Sequence, residues 1–341
     1  MSKSLNNNLS AAKSAKNDEF YTQLVDIENE LKYYRDHFKG KTVYLNCDDP
    51  RESKFFHFFS YQFEFLGLKK LICTGYKENG NGVKCVFTGG NPEQKEIEFL
   101  AGTGGFETEE CIELLHEADI VVSNPPFSKF REYVDLLTSH NKNFLIVGNK
   151  NAITCADIFP LIKNNLLWLG ITSPKEFMTP EGYTAKNVEN GMAKFGNIGW
   201  FTNLEHYRHN EELIIWKEYS EEEYPKYDNY NAINVDKVKN IPIYDGVMGV
   251  PITFLDRHNP EQFEILGCTQ RGCHDSVPDI KKYDDYIEVR QDGTKTGSSG
   301  NKTNENPNMI GNDGRKNYFL NDKTGHVVQS LYTRLFIRRR K

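Results

Sequence analysis

The chain has 341 residues, a net charge of −6 and a hydrophobic fraction of 38%, and its 22 Phe and 18 Tyr enlarge the volume available to a core. That suffices for one large domain or two moderate ones, and it excludes a protein that is basic over its whole surface. No apolar run approaches the roughly 18–20 residues of a membrane-spanning helix, the polar start lacks the apolar middle of a signal peptide, and seven scattered cysteines suit a reduced, cytoplasmic protein.

Residues 1–17, rich in Asn, Ser, Ala and Lys, read as a flexible arm. From Asp26 the pattern turns helical, with Ile27, Leu31, Tyr34 and Phe38 on one face and Gly40 as the stop. A strand over 41–47, an aromatic helix over 55–65 closed by Gly67, and a second strand over 69–76 follow. Two β-like pieces, 83–87 and 96–102, flank a Gly-Gly-Asn-Pro turn. A helix near 109–117 leads into the apolar strand ADIVVSN, and a helix carrying Phe130, Val134 and Leu137 leads into the strand 143–149. A last helix–strand pair covers 158–164 and 166–171. This alternation predicts an α/β fold with a doubly wound, mainly parallel sheet. After about residue 205 the texture changes: 217–232 is acidic and tyrosine-rich, and 291–316 is Gly, Asn, Ser and Thr, the composition of a long mobile loop. The expected division is an arm at 1–17, a first domain at 18–210 and a second region at 211–341.

Charge is segregated despite the acidic total. Lys3, Lys13 and Lys16 precede the first acid, Asp18, and the final RLFIRRRK carries Arg334, Arg338, Arg339, Arg340 and Lys341 without an acid. Such ends can attract phosphates, or can be no more than solvated tails.

The strand ADIVVSN runs into Asn124-Pro125-Pro126-Phe127, where open α/β sheets place their ligands. Two prolines fix the backbone and remove its N–H donors while keeping the carbonyls. Asn124 adds a side-chain carbonyl and Phe127 a flat ring. Rigid acceptors beside an aromatic plane suit a planar substrate with an exocyclic amine. They draw the nitrogen lone pair out of conjugation, and they reject a carbonyl in the same place. Cys268, Cys273 and His274 do not make a second cysteine pair, so no metal site is expected.

NPPF matches the [D/N/S]-P-P-[Y/F/W] motif of amino-methyltransferases. With DEFYTQ (18–23), DIENEL, CDDPR, LGLKKLI, DIVVSNPPFSKFREYV, FLIVGNKNAIT, IFPLIKNN and WFTNL in that order, the chain resembles the EcoRI-type adenine-specific DNA methyltransferases from residue 18 to about 205. The resemblance implies a Rossmann-like S-adenosylmethionine-dependent methyltransferase fold with a C-terminal target-recognition region, and methyl transfer to N6 of a flipped-out adenine in double-stranded DNA. By the same resemblance Asn124, Pro125, Pro126 and Phe127 form the catalytic turn, and Asn124 also faces the cofactor. Phe20, Tyr21 and Thr22 would close over S-adenosylmethionine. Asp49, supported by Asp48, Pro50 and Ser53, would hold its methionine end, although Pro-Arg-Glu-Ser stands where the family usually has glycines. Tyr76 and Phe106 would approach its nucleoside, Trp200 or Phe201 would wall the base pocket, and Lys13, Lys16, Arg338, Arg339 and Arg340 would meet the DNA backbone.

The resemblance further implies a cytoplasmic enzyme of a prokaryote or phage, monomeric or weakly dimeric. It would act without metal or membrane, and a restriction endonuclease could act at the same site without a stable complex. Methylation of RNA adenines or protein glutamines, and a catalytically silent DNA-binding module, stay open as alternatives at this point.

Overall fold

The computed structural model describes residues 21–179, 188–269 and 279–340, so Phe20, Lys13, Lys16, the arm 1–17, Cys273 and His274 lie outside the described residues. Two compact units form. Unit 1 holds the described residues up to Ala152 and those from Leu167 to Tyr207; unit 2 holds Ile153–Leu166 and those from Arg208 onward.

Unit 1 begins with β1 (Tyr21–Thr22) and α1 (Leu24–Leu31), then α2 (Arg35–Phe38). Ile27, Leu31, Tyr34 and Phe38 are all buried, so the apolar face continues across the break between these helices. Next come β2 (Thr42–Leu45), α3 (Lys54–Tyr61), α4 (Phe63–Leu66), β3 (Lys70–Gly75), β4 (Val83–Phe87) and β5 (Glu98–Phe99). α5 (Glu109–Glu117), β6 (Ile120–Ser123), α6 (Phe130–Ser139) and β7 (Asn143–Asn149) follow. After an excursion of the chain into unit 2, β8 (Trp168–Leu169), β9 (Glu176–Met178), β10 (Val188–Glu189), β11 (Met192–Lys194) and β12 (Ile198–Thr202) complete the unit.

The main sheet has eight strands in the order β5-β4-β3-β2-β6-β7-β12-β8. β3, β2, β6 and β7 are mutually parallel, and β4 and β12 run against their inner neighbours. Every residue of β2 and β6 is buried, as central strands covered on both faces require. From β2 the chain builds outward to β3 on one side and returns to β6 on the other. The carboxyl ends of β2 and β6 therefore meet where strand order reverses, the position at which such sheets open a crevice.

A second sheet, β1-β9-β11-β10, places β1 beside β9 with Thr22 opposite Phe177. A buried carboxylate fixes this region. Glu30 on α1 accepts hydrogen bonds from the Tyr34 hydroxyl (2.9 Å), the Ile171 N–H (2.7 Å), and the N–H and hydroxyl of Thr172 (both 2.6 Å). Burial raises its pKa in spite of those donors.

In unit 2, α7 (Phe159–Lys163) packs on β17 (Phe263–Cys268). The helix expected in the first domain at 158–164 thus belongs here, with Phe159 and Ile162 buried. β13 (Lys217–Glu218) and β15 (Pro242–Ile243) pair in parallel, and β14 (Ala232–Asn234), β16 (Val247–Pro251), β23 (Arg334–Arg339) and β17 form a four-stranded sheet. A further sheet runs β19 (Lys295–Ser299), β18 (Tyr286–Val289), β21 (Tyr318–Asn321), β22 (Val327–Ser330), β20 (Asn308–Ile310). The expected mobile loop at 291–316 is corrected by this sheet: β19, β20 and a 3-10 turn over Gly300–Glu305 occupy most of it. The basic C-terminus is likewise no simple tail, because Leu335, Phe336 and Ile337 are buried in β23 and carry Arg338 and Arg339 out at the strand's end.

Candidate active site

The turn after β2 does without the usual glycines by two substitutes. Cys47 adopts a left-handed conformation, φ 68°, a strained choice for a residue with a side chain. Asn46 supports it: fully buried, it accepts the Cys47 N–H (3.0 Å) and the Thr74 hydroxyl (3.3 Å) through Oδ1. The glycine is instead on the neighbouring strand. A Cβ at Gly75, the last residue of β3, would stand 2.9 Å from the Asp49 Cα, so only glycine lets the two backbones approach this closely. Gly104, at φ 76°, reaches in the same way to the Gly75 carbonyl.

The two acids of this turn point to different partners. Asp48 is buried; its N–H donates to the Thr74 carbonyl (2.9 Å), and its carboxylate accepts from the hydroxyls of Ser53 (2.9 Å) and Ser123 (3.0 Å). Ser53 also caps α3 by accepting the Phe56 N–H at 3.1 Å, so one serine fixes both the helix start and the acid. Asp49 is bound by Arg51 through the guanidinium (Nε at 2.8 Å) and the backbone N–H (2.9 Å). Burial opposes ionisation of Asp49, but the Arg51 hydrogen bonds outweigh it and hold the carboxyl below its ordinary range.

β6 ends at Ser123, directly before the NPPF turn. Pro125 is buried and Asn124, Pro126 and Phe127 are half-buried. The Pro126 carbonyl accepts the Lys129 N–H (2.9 Å), which closes the turn onto α6. Phe127 rests edge-on against Phe177 (6.2 Å between centroids) and Phe195 (6.4 Å), a favourable aromatic arrangement that leaves the ring partly uncovered.

An open cleft brings Tyr21, Thr22, Asp48, Asp49, Ser53 and Asn124 together. Cys47, Glu52, Lys54 and Phe55 complete its lining without having been singled out in the sequence, where nothing but their closeness to CDDPR could have flagged them. Ser123 was missed as well; a hydroxyl at the end of an otherwise apolar buried strand, one residue before the motif, was the available signal. Pro50 lines a neighbouring polar hollow with Arg51 and His57 instead. Tyr76 is half exposed and outside the cleft.

Three further expected residues lie outside the lining of the cleft. Phe106 is buried against Tyr133 (5.0 Å), with the Lys129 ammonium 5.4 Å from its ring centre, so its faces are already engaged. The acid of that turn is Glu107, one residue later, paired with Lys129 at 3.1 Å. Trp200 and Phe201 are fully buried in β12, packed against Phe55 and Phe130 respectively. Neither ring offers a face to a base; Trp200 stands behind Phe55, which lines the cleft.

In unit 2, Arg338 is paired with Glu264 (2.5 Å), Arg340 donates to the Pro260 carbonyl (2.8 Å), and Arg339 is exposed. Among the described residues there is no group of three potential metal ligands, and no helix is long and apolar enough to cross a membrane.

The family model described as adenine-specific methyltransferase EcoRI matches residues 8–340. Type II methyltransferase M.EcoRI of Escherichia coli is 46% identical over 291 residues, covering 76% of this chain and 88% of its own length. Type II methyltransferase M.MpnI of Mycoplasma pneumoniae is 44% identical and M.MgeORF184P of Mycoplasma genitalium 42% identical, each aligned over 75% of this chain and 84% of its own length. No solved structure shows significant similarity to the chain.

Proposed function

Because this chain belongs to the family of adenine-specific EcoRI methyltransferases, we propose that the cleft at the ends of β2 and β6 binds S-adenosylmethionine and that the NPPF turn beside it presents the adenine. The chain is a site-specific DNA adenine methyltransferase. The observation that carries the placement is the meeting of Asp48, Ser53, Asn124 and Thr22 in one cleft at the switch point of the parallel sheet.

The residues there suit a zwitterionic nucleoside. Asp48 and Asp49 offer carboxylates to an ammonium group. Arg51 already occupies three of the roughly four acceptor sites of Asp49 and offsets its charge, so Asp48 is the stronger partner. Thr22 Oγ1, in the lining of the cleft, is buried with no hydrogen-bond partner among the described residues, an arrangement that favours a polar ligand. When bound, S-adenosylmethionine supplies a methyl group on a positively charged sulfur.

The chain's own residues then prepare the acceptor. Asn124 Oδ1 and the Pro125 carbonyl accept the two amino protons of adenine, which orients the nitrogen lone pair and keeps it out of ring conjugation. In a duplex this amine is paired, so the base must leave the stack, at a cost of a few kcal/mol. Stacking on Phe127 offsets roughly 1–3 kcal/mol of that. The surplus proton leaves to solvent after transfer. Unit 2, with Arg338, Arg339 and Arg340 at the end of β23, is the target-recognition region in this reading, and the type II names of the relatives support a place in restriction-modification. Incubation with methyl-labelled S-adenosylmethionine and unmethylated duplex DNA should give N6-methyladenine on nuclease digestion. Label on cytosine, or none on DNA, would refute it.

A further inference from the structure

Unit 2 contains a loop whose construction exceeds what a simple connection needs. Residues 311–317, Gly-Asn-Asp-Gly-Arg-Lys-Asn, join β20 to β21. Gln329 on β22 is 3% exposed and holds both arms of the loop: its Oε1 accepts the Asp313 N–H (2.9 Å), and its Nε2 donates to the Lys316 carbonyl (3.1 Å). The Gly311 N–H donates to the Val327 carbonyl (2.7 Å). Inside the loop, Asn312 Oδ1 accepts the Gly314 N–H (3.2 Å) and Asp313 Oδ1 accepts the Arg315 N–H (2.9 Å). The backbone is thus fixed from outside and from within.

At its tip Arg315 is exposed, and its side chain makes no hydrogen bond or ion pair with a described residue. Beside it the Lys316 ammonium lies 3.8 Å from the centre of the exposed Tyr332 ring. Burial, offset in part by Asp313 and reinforced by Arg334, holds Lys316 below its ordinary pKa. Arg315, Lys316 and Arg334 thus set three cations against Asp313 beside Lys316 and Asp236, which Asn234 links to Arg334, and the positive balance favours a polyanion.

We propose that Arg315 is a specificity-determining residue, a guanidinium fork that the braced 311–317 loop carries to a base edge in the recognition site. The proposal rests on the DNA-methylation reading above. A phosphate contact needs only a cation and tolerates a mobile one, whereas a base contact needs a fork at a fixed place and angle. A loop held at two points by a buried glutamine meets the second requirement, since an ordered loop loses less entropy on binding. The donor pair of arginine matches the two acceptors on the major-groove edge of guanine, a match lysine does not reproduce.

The test uses the full chain with Arg315→Ala and Arg315→Lys, unmethylated genomic DNA, and single-molecule sequencing of modified adenines. Specificity constants are measured in parallel on duplexes altered at single positions. Both variants should bind S-adenosylmethionine as the wild type does and lose roughly tenfold or more of the preference at one fixed base pair, with methylation spreading to sites that differ there. Wild-type discrimination by Arg315→Lys would make the contact a phosphate contact and overturn the proposal. An unchanged motif in Arg315→Ala would overturn it too. Failure of the wild type itself to methylate DNA would remove the underlying reading together with this one, an outcome separate from the other two.

Discussion

Ser123 donates to the Asp48 carboxylate at 3.0 Å, joining residues 75 apart in the chain at the ends of the adjacent strands β6 and β2. The hydroxyl lies one residue before Asn124, so the acid assigned to the cofactor and the amide assigned to the base share one support. Replacing Asp48 with Ala removes a charged acceptor from two buried hydroxyls. Hydrogen bonds to charged groups contribute about 1.5–3 kcal/mol, so S-adenosylmethionine affinity by calorimetry should fall at least tenfold. Asp49→Ala should cost less, because Arg51 offsets its charge; the reverse ranking would refute the assignment.

Asn124→Ala should abolish methyl transfer while cofactor affinity stays within a few-fold of wild type. Undiminished turnover would end the role given to that amide. Phe127→Ala removes the stacking ring, so a fluorescent adenine analogue at the target position should show a weaker unstacking signal and KM should rise. A loss of roughly 1–3 kcal/mol is the expected scale.

The close approach at Gly75 makes a sharp test of the cofactor turn. A methyl there would meet the Asp49 backbone at 2.9 Å, and backbone cannot swing aside like a long side chain. Gly75→Ala should lower stability by about 1–3 kcal/mol and weaken cofactor binding in the same variant. Thermal unfolding with and without S-adenosylmethionine separates the two effects, and an unperturbed cleft would show that the turn can move.

Glu30 predicts a pH dependence of stability. Burial raises its folded pKa above the ordinary value of 4.5, so over this interval the folded state binds the proton that the unfolded state has released. Its contribution is fully present below that ordinary value and is lost as pH rises through the raised one. Urea unfolding from pH 4 upward should show a decline in wild type that Glu30→Gln lacks. That variant should also be less stable at its best pH by about 1–3 kcal/mol, because its amide NH₂ confronts the donors of Ile171 and Thr172. Parallel pH profiles would refute the argument.

The parallel core was legible because β2, β6 and β7 are unbroken apolar runs between helical periods, and burial on both faces demands that pattern. The end of β6 before Asn124 could be read for a similar reason, since two prolines cannot continue a central strand. Trp200 and Phe201 could not be placed, because a buried strand and a pocket wall demand the same side chains. The strands within 291–316 were hidden by their composition: β19, Lys-Thr-Gly-Ser-Ser, alternates only between exposed and half-buried positions, so it has no apolar face to announce it. In β23 the terminal arginines drew attention away from Leu335, Phe336 and Ile337, the residues that make it a strand.

The path of α7 limits how this protein can be taken apart. The helix comes from the middle of the chain, between β7 and β8, yet it belongs to unit 2 and covers part of β17. A fragment starting after Tyr207 would lack Phe159 and Ile162 and leave apolar surface on β17 open to aggregation. Hybrids that graft a foreign C-terminal half onto this N-terminal one would join a helix to a sheet it did not evolve to cover. New sequence preferences are therefore better sought by point changes in loops such as 311–317, or by moving residues 153–166 together with everything from 208 onward.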